Sequence, residues 1–357
     1  IGLLAVRFML SDAQLGEIRE HLERAQRPVF FYDNDLDGFC SFVLLRRFCG
    51  RGNGVAIRSH PDVDTGYARK VIELEADYVF VLDRYSLGEG FANAVQQLNI
   101  PLVWIDHHDF SGKDYLSSVS IYNPLKTRGV KASEEPVTYW CQRACGRNED
   151  IWIAVMGCIS DHHLPGFVPT FTEQYPDFWA SPSSVKEPFD AYYKTEIGKL
   201  AQSVSFGLKD SVSHVVYLQN FFIKCKTPLD LQTELDSKSS FAKKSREMRQ
   251  TYEKLLARAR SQDNKNAVYF EYGGAVSMSS ELANALSYYY PKMRIGVVYL
   301  KDATSNLSLR GPMVRDWLEK VLPEFENSTG GGHEEAVGAR IMSADLPRFK
   351  KLFLGAK

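Results

Sequence analysis

Leu102-Val103-Trp104-Ile105-Asp106-His107-His108 is a four-residue apolar run that ends in a carboxylate and two imidazoles. Two upstream stretches are built the same way. Val29-Phe30-Phe31-Tyr32 runs into Asp33-Asn34-Asp35-Leu36-Asp37-Gly38, and Val79-Phe80-Val81-Leu82 runs into Asp83. Short apolar runs separated by helix-length text read as buried parallel strands. In an open α/β sheet, ligands bind outside the carboxyl ends of the strands. The acidic and imidazole groups are therefore expected along one sheet edge, as a divalent-metal site requires.

Working outward, strands are expected at 28–33, 55–59, 78–83, 101–106 and 118–122, with helices between most of them. That alternation predicts a mainly parallel, doubly wound sheet. A helix over 11–26 has Ser11 as its N-cap and Gln14 at the capping-box position. Helices are also expected over 133–146 and 149–160. The second is apolar almost all round, from Ile151 to Met156, which predicts burial, and it runs into Ser160-Asp161-His162-His163. Residues 164–190, rich in Pro, Ser, Phe and Tyr, read as irregular loop, and 191–260 as helical.

A smaller α/β unit follows, with strands expected at Ala267–Phe270, Ala275–Met278, Ile295–Tyr299 and Leu307–Arg310. Its helices are expected at 279–289, 312–320 and 345–354. The stretch 327–332, with three glycines before His333, reads as a loop that lets backbone approach a ligand closely. The organisation expected is an α/β domain over 1–185, a helical connector over 186–262 and a smaller α/β domain over 263–357.

Bulk properties narrow the classes. The chain has 357 residues, 44% hydrophobic and 24% charged, which suits two globular domains. Its net charge of -1 supplies no global field for long nucleic acid. One local exception is the stretch 236–260, where Lys238, Lys243, Lys244, Arg246, Arg249, Lys254, Arg258 and Arg260 outnumber the acids. It reads as a solvated helix or as a phosphate-tracking face. The six cysteines form no zinc pattern and read as buried, reduced thiols. No apolar run of about 18 residues and no signal-peptide layout appear, so a cytoplasmic protein with no membrane partner is expected.

Carboxylate oxygens with a few imidazoles suit hard or borderline ions such as Mn2+ and Mg2+. Two ions about 4 Å apart need a bridging carboxylate and several terminal ligands. Asp33, Asp35, Asp37, Asp83, Asp106, His107, His108 and Asp161 are on offer. Each alone has a plainer reading: Asp-x-Asp-Gly as a turn, Asp83 as a helix cap, a His pair as a hydrogen-bonded surface feature. Three strand ends carrying Asp, one of them with His-His, favour a shared site. No Walker loop and no nucleophile elbow compete with it.

In these residues the chain resembles the DHH phosphoesterase superfamily, whose signature is the triplet at Asp106-His107-His108. Asp33 to Gly38 resembles the first motif of the RecJ-like branch, Asp83 the second, and Gly157-Cys158-Ile159-Ser160-Asp161 the fourth. Gly330-Gly331-Gly332-His333 with Ala336 and Gly338 resembles the DHHA1 domain, and Arg310 stands where that domain places a substrate-contacting arginine.

The resemblance implies a catalytic DHH domain joined by a helical linker to a substrate-binding DHHA1 domain, with the active-site cleft between them. It implies two divalent ions, usually Mn2+, with Mg2+ as the alternative. Asp35 would bind the first ion and Asp37 the second, Asp83 would bridge, and His107 and Asp161 would complete the second. His108 would contact the scissile phosphate, with Asp106 holding the imidazoles. Arg310, Gly331, Gly332 and His333 would hold substrate phosphates.

Two departures stand out. Many relatives carry a His where this chain has Phe31, which favours the RecJ-like branch and makes Asp33 a candidate replacement ligand. Arg84 follows Asp83 in place of a small residue, as a candidate phosphate contact or carboxylate partner. The implied activity is hydrolysis of single-stranded DNA or RNA, or of short oligonucleotides, to nucleoside monophosphates. Aromatics over Phe167–Trp179 are candidates for base stacking.

A small-substrate phosphodiesterase is the alternative, acting on nanoRNA, 3'-phosphoadenosine phosphate, or linear or cyclic dinucleotides. A non-catalytic, Cdc45-like replication factor is the lesser one. Replication or repair partners fit either nucleic-acid reading, and monomer and homodimer both stay open.

Overall fold

The central apolar runs form strands buried on both faces because they are apolar at consecutive, not alternating, positions. In the computed structural model, which describes residues 10–58, 63–108, 117–126, 135–179, 184–262 and 267–355, the chain divides into two compact units, Ile1–Ser245 and Arg246–Lys357. The first unit holds β1 (Pro28–Asp33), β2 (Asn53–Ile57), β3 (Tyr78–Leu82), β4 (Leu102–Ile105) and β5 (Val119–Tyr122). They form one sheet in the order β2-β1-β3-β4-β5, and every pairing is parallel.

Two cores cover this sheet. One face buries Phe30, Tyr32, Phe80, Leu82, Val103 and Ile105. It lies beneath α1 (Asp12–Arg24), α2 (Leu36–Cys49), α5 (Val137–Cys145) and α6 (Ile151–Ser160). The other buries Val29, Phe31, Val79, Val81 and Trp104 beneath α3 (Ala68–Glu73) and α4 (Glu89–Gln97). The sheet is thus doubly wound, as expected. Helix α1 carries the Ser11–Gln14 capping box read from the sequence. Helix α6 buries every residue from Ile151 to Ile159.

Register is what builds the site. Tyr32 pairs with Leu82, and Leu82 with Ile105. The next residue on each strand, Asp33, Asp83 and Asp106, therefore stands at the same carboxyl edge. A one-residue slip would turn these side chains to the other face.

The stretch 164–190, read as loop, instead contains α7 (Val168–Gln174), a 3-10 turn at Pro176–Phe178 and α8 (Pro188–Lys194). Phe167, Phe171 and Tyr175 recur every four residues and so share a helical face that packs on the core. Helices α9 (Glu196–Leu208), α10 (Val212–Lys224) and α11 (Pro228–Asp236) complete the first unit, and α12 (Ser240–Arg260) runs from it into the second.

The second unit has β6 (Ala267–Tyr272), α13 (Ser279–Tyr289), β7 (Arg294–Lys301), β8 (Thr304–Arg310) and α14 (Val314–Val321). It ends with β9 (Thr329–His333), β10 (Ala336–Met342) and α15 (Leu346–Gly355). Its sheet order is β6-β7-β8-β10-β9; only β6 and β7 run parallel.

Two expectations fail here. Ala275–Met278 is not a strand. Gly273-Gly274 breaks the chain, and the Met278 backbone N–H donates to the Tyr272 hydroxyl at 2.6 Å as the segment turns into α13. The glycine run before His333 is not a loop but edge strand β9, paired with β10. Glycine is needed there for close approach: a Cβ at Gly332, where φ is +142°, would meet the Ala336 carbonyl oxygen at 2.5 Å. Residue 59 of the expected 55–59 strand, residues 133–134 of the expected 133–146 helix and residues 180–183 of the expected loop lie outside the described residues.

All six cysteines are free thiols, five of them buried. Among the described residues no helix is long and apolar enough to cross a membrane.

Candidate metal centre

Three strand ends, the start of α2 and the end of α6 supply the polar groups. His107, just beyond β4, is central: its Nε2 lies 3.4 Å from both Asp83 Oδ1 and Asp161 Oδ2. Two sets of donor atoms lie within 4.8 Å of one another, Asp37–His107–Asp161 and Asp83–His107–His108, sharing His107. Hard oxygens with one or two imidazoles per set suit Mn2+ or Mg2+.

Asp83 is 1% exposed, and its Oδ1 accepts no hydrogen bond among the described residues. A buried carboxylate oxygen without a donor costs about 1–3 kcal/mol or more, and a cation would remove that cost. Its backbone also carries strain, with φ at +56°. An Asp in that left-handed region costs roughly 1 kcal/mol. The donor set and the orphaned oxygen both fit a divalent ion.

Helix α2 begins at the end of β1. Asp35 caps it, its Oδ1 accepting the Gly38 N–H at 3.0 Å. A Cβ on Gly38 would meet the Asp33 carbonyl oxygen at 2.5 Å, so only glycine lets the helix start this close to the strand. Asp37, 1% exposed, is pinned by the N-terminus of α5. The Val137 and Thr138 N–H groups donate to its Oδ2 and Oδ1 at 2.9 and 2.8 Å. The Thr138 hydroxyl donates to the Asp37 carbonyl oxygen at 2.9 Å. The helix dipole of α5 further favours the negative charge.

Crowding of negative charge dominates the titration. Desolvation, then the charges of Asp33 and Asp37, push the Asp35 carboxyl up to about 7, although the residue as a whole is solvent-exposed. Burial pushes Asp37 up to about 6, against the lowering effect of its hydrogen bonds from Thr138 and Val137. Burial, then the neighbouring carboxylates Asp37 and Asp35, hold Asp83 and Asp161 well above the ordinary carboxylate range.

His108 goes the other way. Burial pulls its pKa down, but the Asp106 charge and hydrogen bond prevail and bring it to about 9. Asp106 grips His108 twice, accepting from ring Nδ1 at 2.8 Å and backbone N–H at 3.0 Å.

Asn123 and Thr138 belong to this assembly and were not singled out in the sequence. Asn123, 1% exposed, donates to Asp106 Oδ2 at 3.2 Å and to the His108 carbonyl oxygen at 2.9 Å. The clue to Thr138 is Pro136, which marks a helix start whose free N–H groups attract a carboxylate. No comparable clue precedes Asn123.

Other candidates lie apart from the two donor sets. Asp33 Oδ1 accepts from Arg84 Nη1 at 2.8 Å and from the Asn34 N–H at 2.9 Å. Arg84 is buried, and its carbonyl oxygen accepts from the Trp104 indole at 2.9 Å. Phe31 is fully buried against Phe91 and Tyr67 in the core beneath α3 and α4. His162 stacks on Phe189 at 3.8 Å between ring centres, and His163 meets Tyr139 edge-on.

In the second unit, Arg310 donates to Asn284 Oδ1 at 2.6 Å, Ser280 Oγ at 3.0 Å and the Leu309 carbonyl oxygen at 2.8 Å. Gly331, Gly332 and His333 lie on β9, opposite Gly338, Val337 and Ala336 of β10.

No protein-family model matches the sequence, and no curated protein matches it. Solved structures do. RecJ from Thermus thermophilus in complex with Mn2+ is 15% identical with a TM-score of 0.66, over 97% of this chain and 55% of that one. The chain therefore spans about half the length of that relative. An exonuclease RecJ bound to manganese is 17% identical with a TM-score of 0.61, over 96% of this chain and 94% of that one. The DHH domain of a member of the S1p family of ribosomal proteins is 13% identical with a TM-score of 0.64, over 98% of this chain and 92% of that one. At these identities the likeness speaks to the fold. Together with the parallel sheet and the mixed second sheet, it establishes that this chain shares the fold of these RecJ and DHH-domain structures.

Proposed function

We propose that the chain is a metal-dependent phosphodiesterase of the RecJ-like kind, hydrolysing single-stranded nucleic acid or short oligonucleotides to nucleoside monophosphates. The observation that carries this reading is that two donor sets, Asp37–His107–Asp161 and Asp83–His107–His108, share His107, beside an Asp83 carboxylate oxygen that accepts no hydrogen bond among the described residues. Asp35 would join them in holding two divalent ions, Mn2+ first and Mg2+ as the alternative. When bound, such ions supply Lewis-acid charge stabilisation and acidify water near neutral pH.

The chain's own groups then have defined work. Asp37 is held rigid by α5, so it cannot turn away from the centre. In the metal-free protein, against the lowering effect of burial, the Asp106 charge and hydrogen bond raise His108 to about 9. Its remaining ring N–H would donate to a phosphoryl oxygen of the substrate and stabilise charge developing there. Asp106 and Asn123 keep that ring in place. Arg310 and the β9 glycines with His333 would bind further phosphates. No side-chain nucleophile is required. The Cdc45-like alternative is disfavoured because Asp35, Asp37, Asp83, His107 and Asp161 are all present.

The small-substrate reading gains from one observation. Phe167, Phe171, Tyr175 and Trp179, candidates for stacking on a long strand, pack on the protein core instead. A length series of DNA and RNA, from dinucleotides to strands of about thirty nucleotides, labelled at either end and digested with Mn2+, separates the readings. Rates that rise with length and collapse with salt support the exonuclease; rates that peak at the shortest substrates support the alternative. No cleavage at any length refutes both.

A further inference from the structure

The acidic edge is not evenly available to metal. Both donor sets lie on the side of His107, and neither contains Asp33 or Asp35. On the other side Asp35 gives one oxygen, Oδ1, to capping α2, and Asp33 is bound by a guanidinium. Arg84, with 4% of its side chain exposed, holds Asp33 Oδ1 at 2.8 Å. Asp33 is nonetheless part of the cluster, since its charge acts on Asp35, Asp83, His108 and Asp161. Arg84 is no loose surface arm: the Trp104 indole anchors its carbonyl oxygen, and Tyr85 lies beneath its guanidinium at 5.8 Å.

We infer that Arg84 is a built-in counter-ion that takes Asp33 out of the ligand set, so that the resting protein holds one divalent ion tightly, at Asp37–His107–Asp161 with Asp83. This rests on the metal reading above and sharpens it: the second ion must compete with a fixed positive charge. Recruiting Asp33 would break a part-buried, charge-assisted hydrogen bond and set a dication beside a guanidinium. Losses of that kind weaken binding by roughly 100-fold. Arg84 is thus a positioning residue for the second ion.

The test counts ions rather than turnover. Protein stripped of metal is titrated with Mn2+ by calorimetry, and electron paramagnetic resonance reports whether bound ions are isolated or exchange-coupled. The wild type is expected to take up one tight ion with an uncoupled spectrum. Arg84→Gln, which keeps a polar partner for Asp33 but removes the charge, is expected to gain a second ion about 100-fold tighter and a coupled signal. Arg84→Lys is expected to stay at one ion.

Should Arg84→Gln fail to fold, Asp33→Asn decides. Unchanged affinity for the tight ion supports the inference, and a loss of more than about tenfold overturns it. Two equally tight, coupled ions in the wild type overturn the inference while leaving the metal reading intact. No Mn2+ bound by the wild type overturns the metal reading itself.

Discussion

Lowering the pH from 8 to 5 should strip this centre of metal, because its carboxylates hold protons that a cation must displace. Asp37 titrates at about 6 and Asp35 at about 7. Each unit by which a ligand's pKa exceeds the pH weakens metal binding about tenfold, or ~1.4 kcal/mol. At pH 5 Asp37 therefore contributes about tenfold. Asp35 would contribute ~100-fold, but it is exposed, and screening reduces its share to about tenfold. The tight ion therefore loses about tenfold through Asp37, and the Asp35 share falls on the second ion. Asp83 and Asp161 act in the same direction.

The sign for stability follows from the same protons. A carboxyl whose folded pKa lies above its unfolded value binds a proton that the unfolded chain has released. The metal-free protein therefore loses stability as pH rises from about 4 through about 6 for Asp37, a cost of ~3 kcal/mol for its shift of about two units. His108 adds to the trend: its contribution, full below the ordinary histidine value, is lost as pH rises through about 9. Mn2+ titrations at pH 5 and pH 8, by calorimetry and by melting temperature, check both statements. Affinity that is equal at the two pH values, or tighter at pH 5, would refute the reasoning.

Asp37→Ala and His107→Ala should each abolish hydrolysis while far-ultraviolet circular dichroism stays native; undiminished turnover in either would sink the assigned ligand set. Asn123→Ala leaves Asp106 and the His108 carbonyl without their shared donor, and should cut kcat by about 10–100-fold with KM little changed, read from steady-state kinetics. Thr138→Val keeps the N–H that holds Asp37 but loses the hydroxyl bond to its carbonyl oxygen, and should destabilise the protein by about 1–3 kcal/mol in urea unfolding. His333→Ala should raise KM without changing Mn2+ affinity; the reverse result would contradict its assignment to substrate.

Much of the fold was legible because burial on both faces leaves an unmistakable run such as Val79–Leu82. An Asp directly after such a run also marks the sheet edge where ligands bind. Register brings Asp83 and His107 to one edge, while Asp37 and Asp161 reach it from the start of α2 and the end of α6. What stayed hidden is carried by groups without a composition signal. The Val137 and Thr138 N–H groups act through the backbone, and Asn123 through an amide that reads equally well as a turn residue.

The misreadings share a cause. Residues 164–190 looked like loop because Pro and Ser outweighed the four-residue recurrence of Phe167, Phe171 and Tyr175. The Gly330–Gly332 run looked like loop because composition says nothing of a partner, and β10 supplies one. The Asp33–Arg84 pair joins the last residue of β1 to a residue just beyond β3, and appears only once register brings those strand ends side by side.

The central claim is tested most directly by metal-dependent hydrolysis of an end-labelled oligonucleotide. Protein stripped with chelator should be inert, regain activity as Mn2+ is titrated back, and show none in the His107→Ala variant at any Mn2+ concentration. Turnover that persists without metal, or that survives in His107→Ala, would contradict the account.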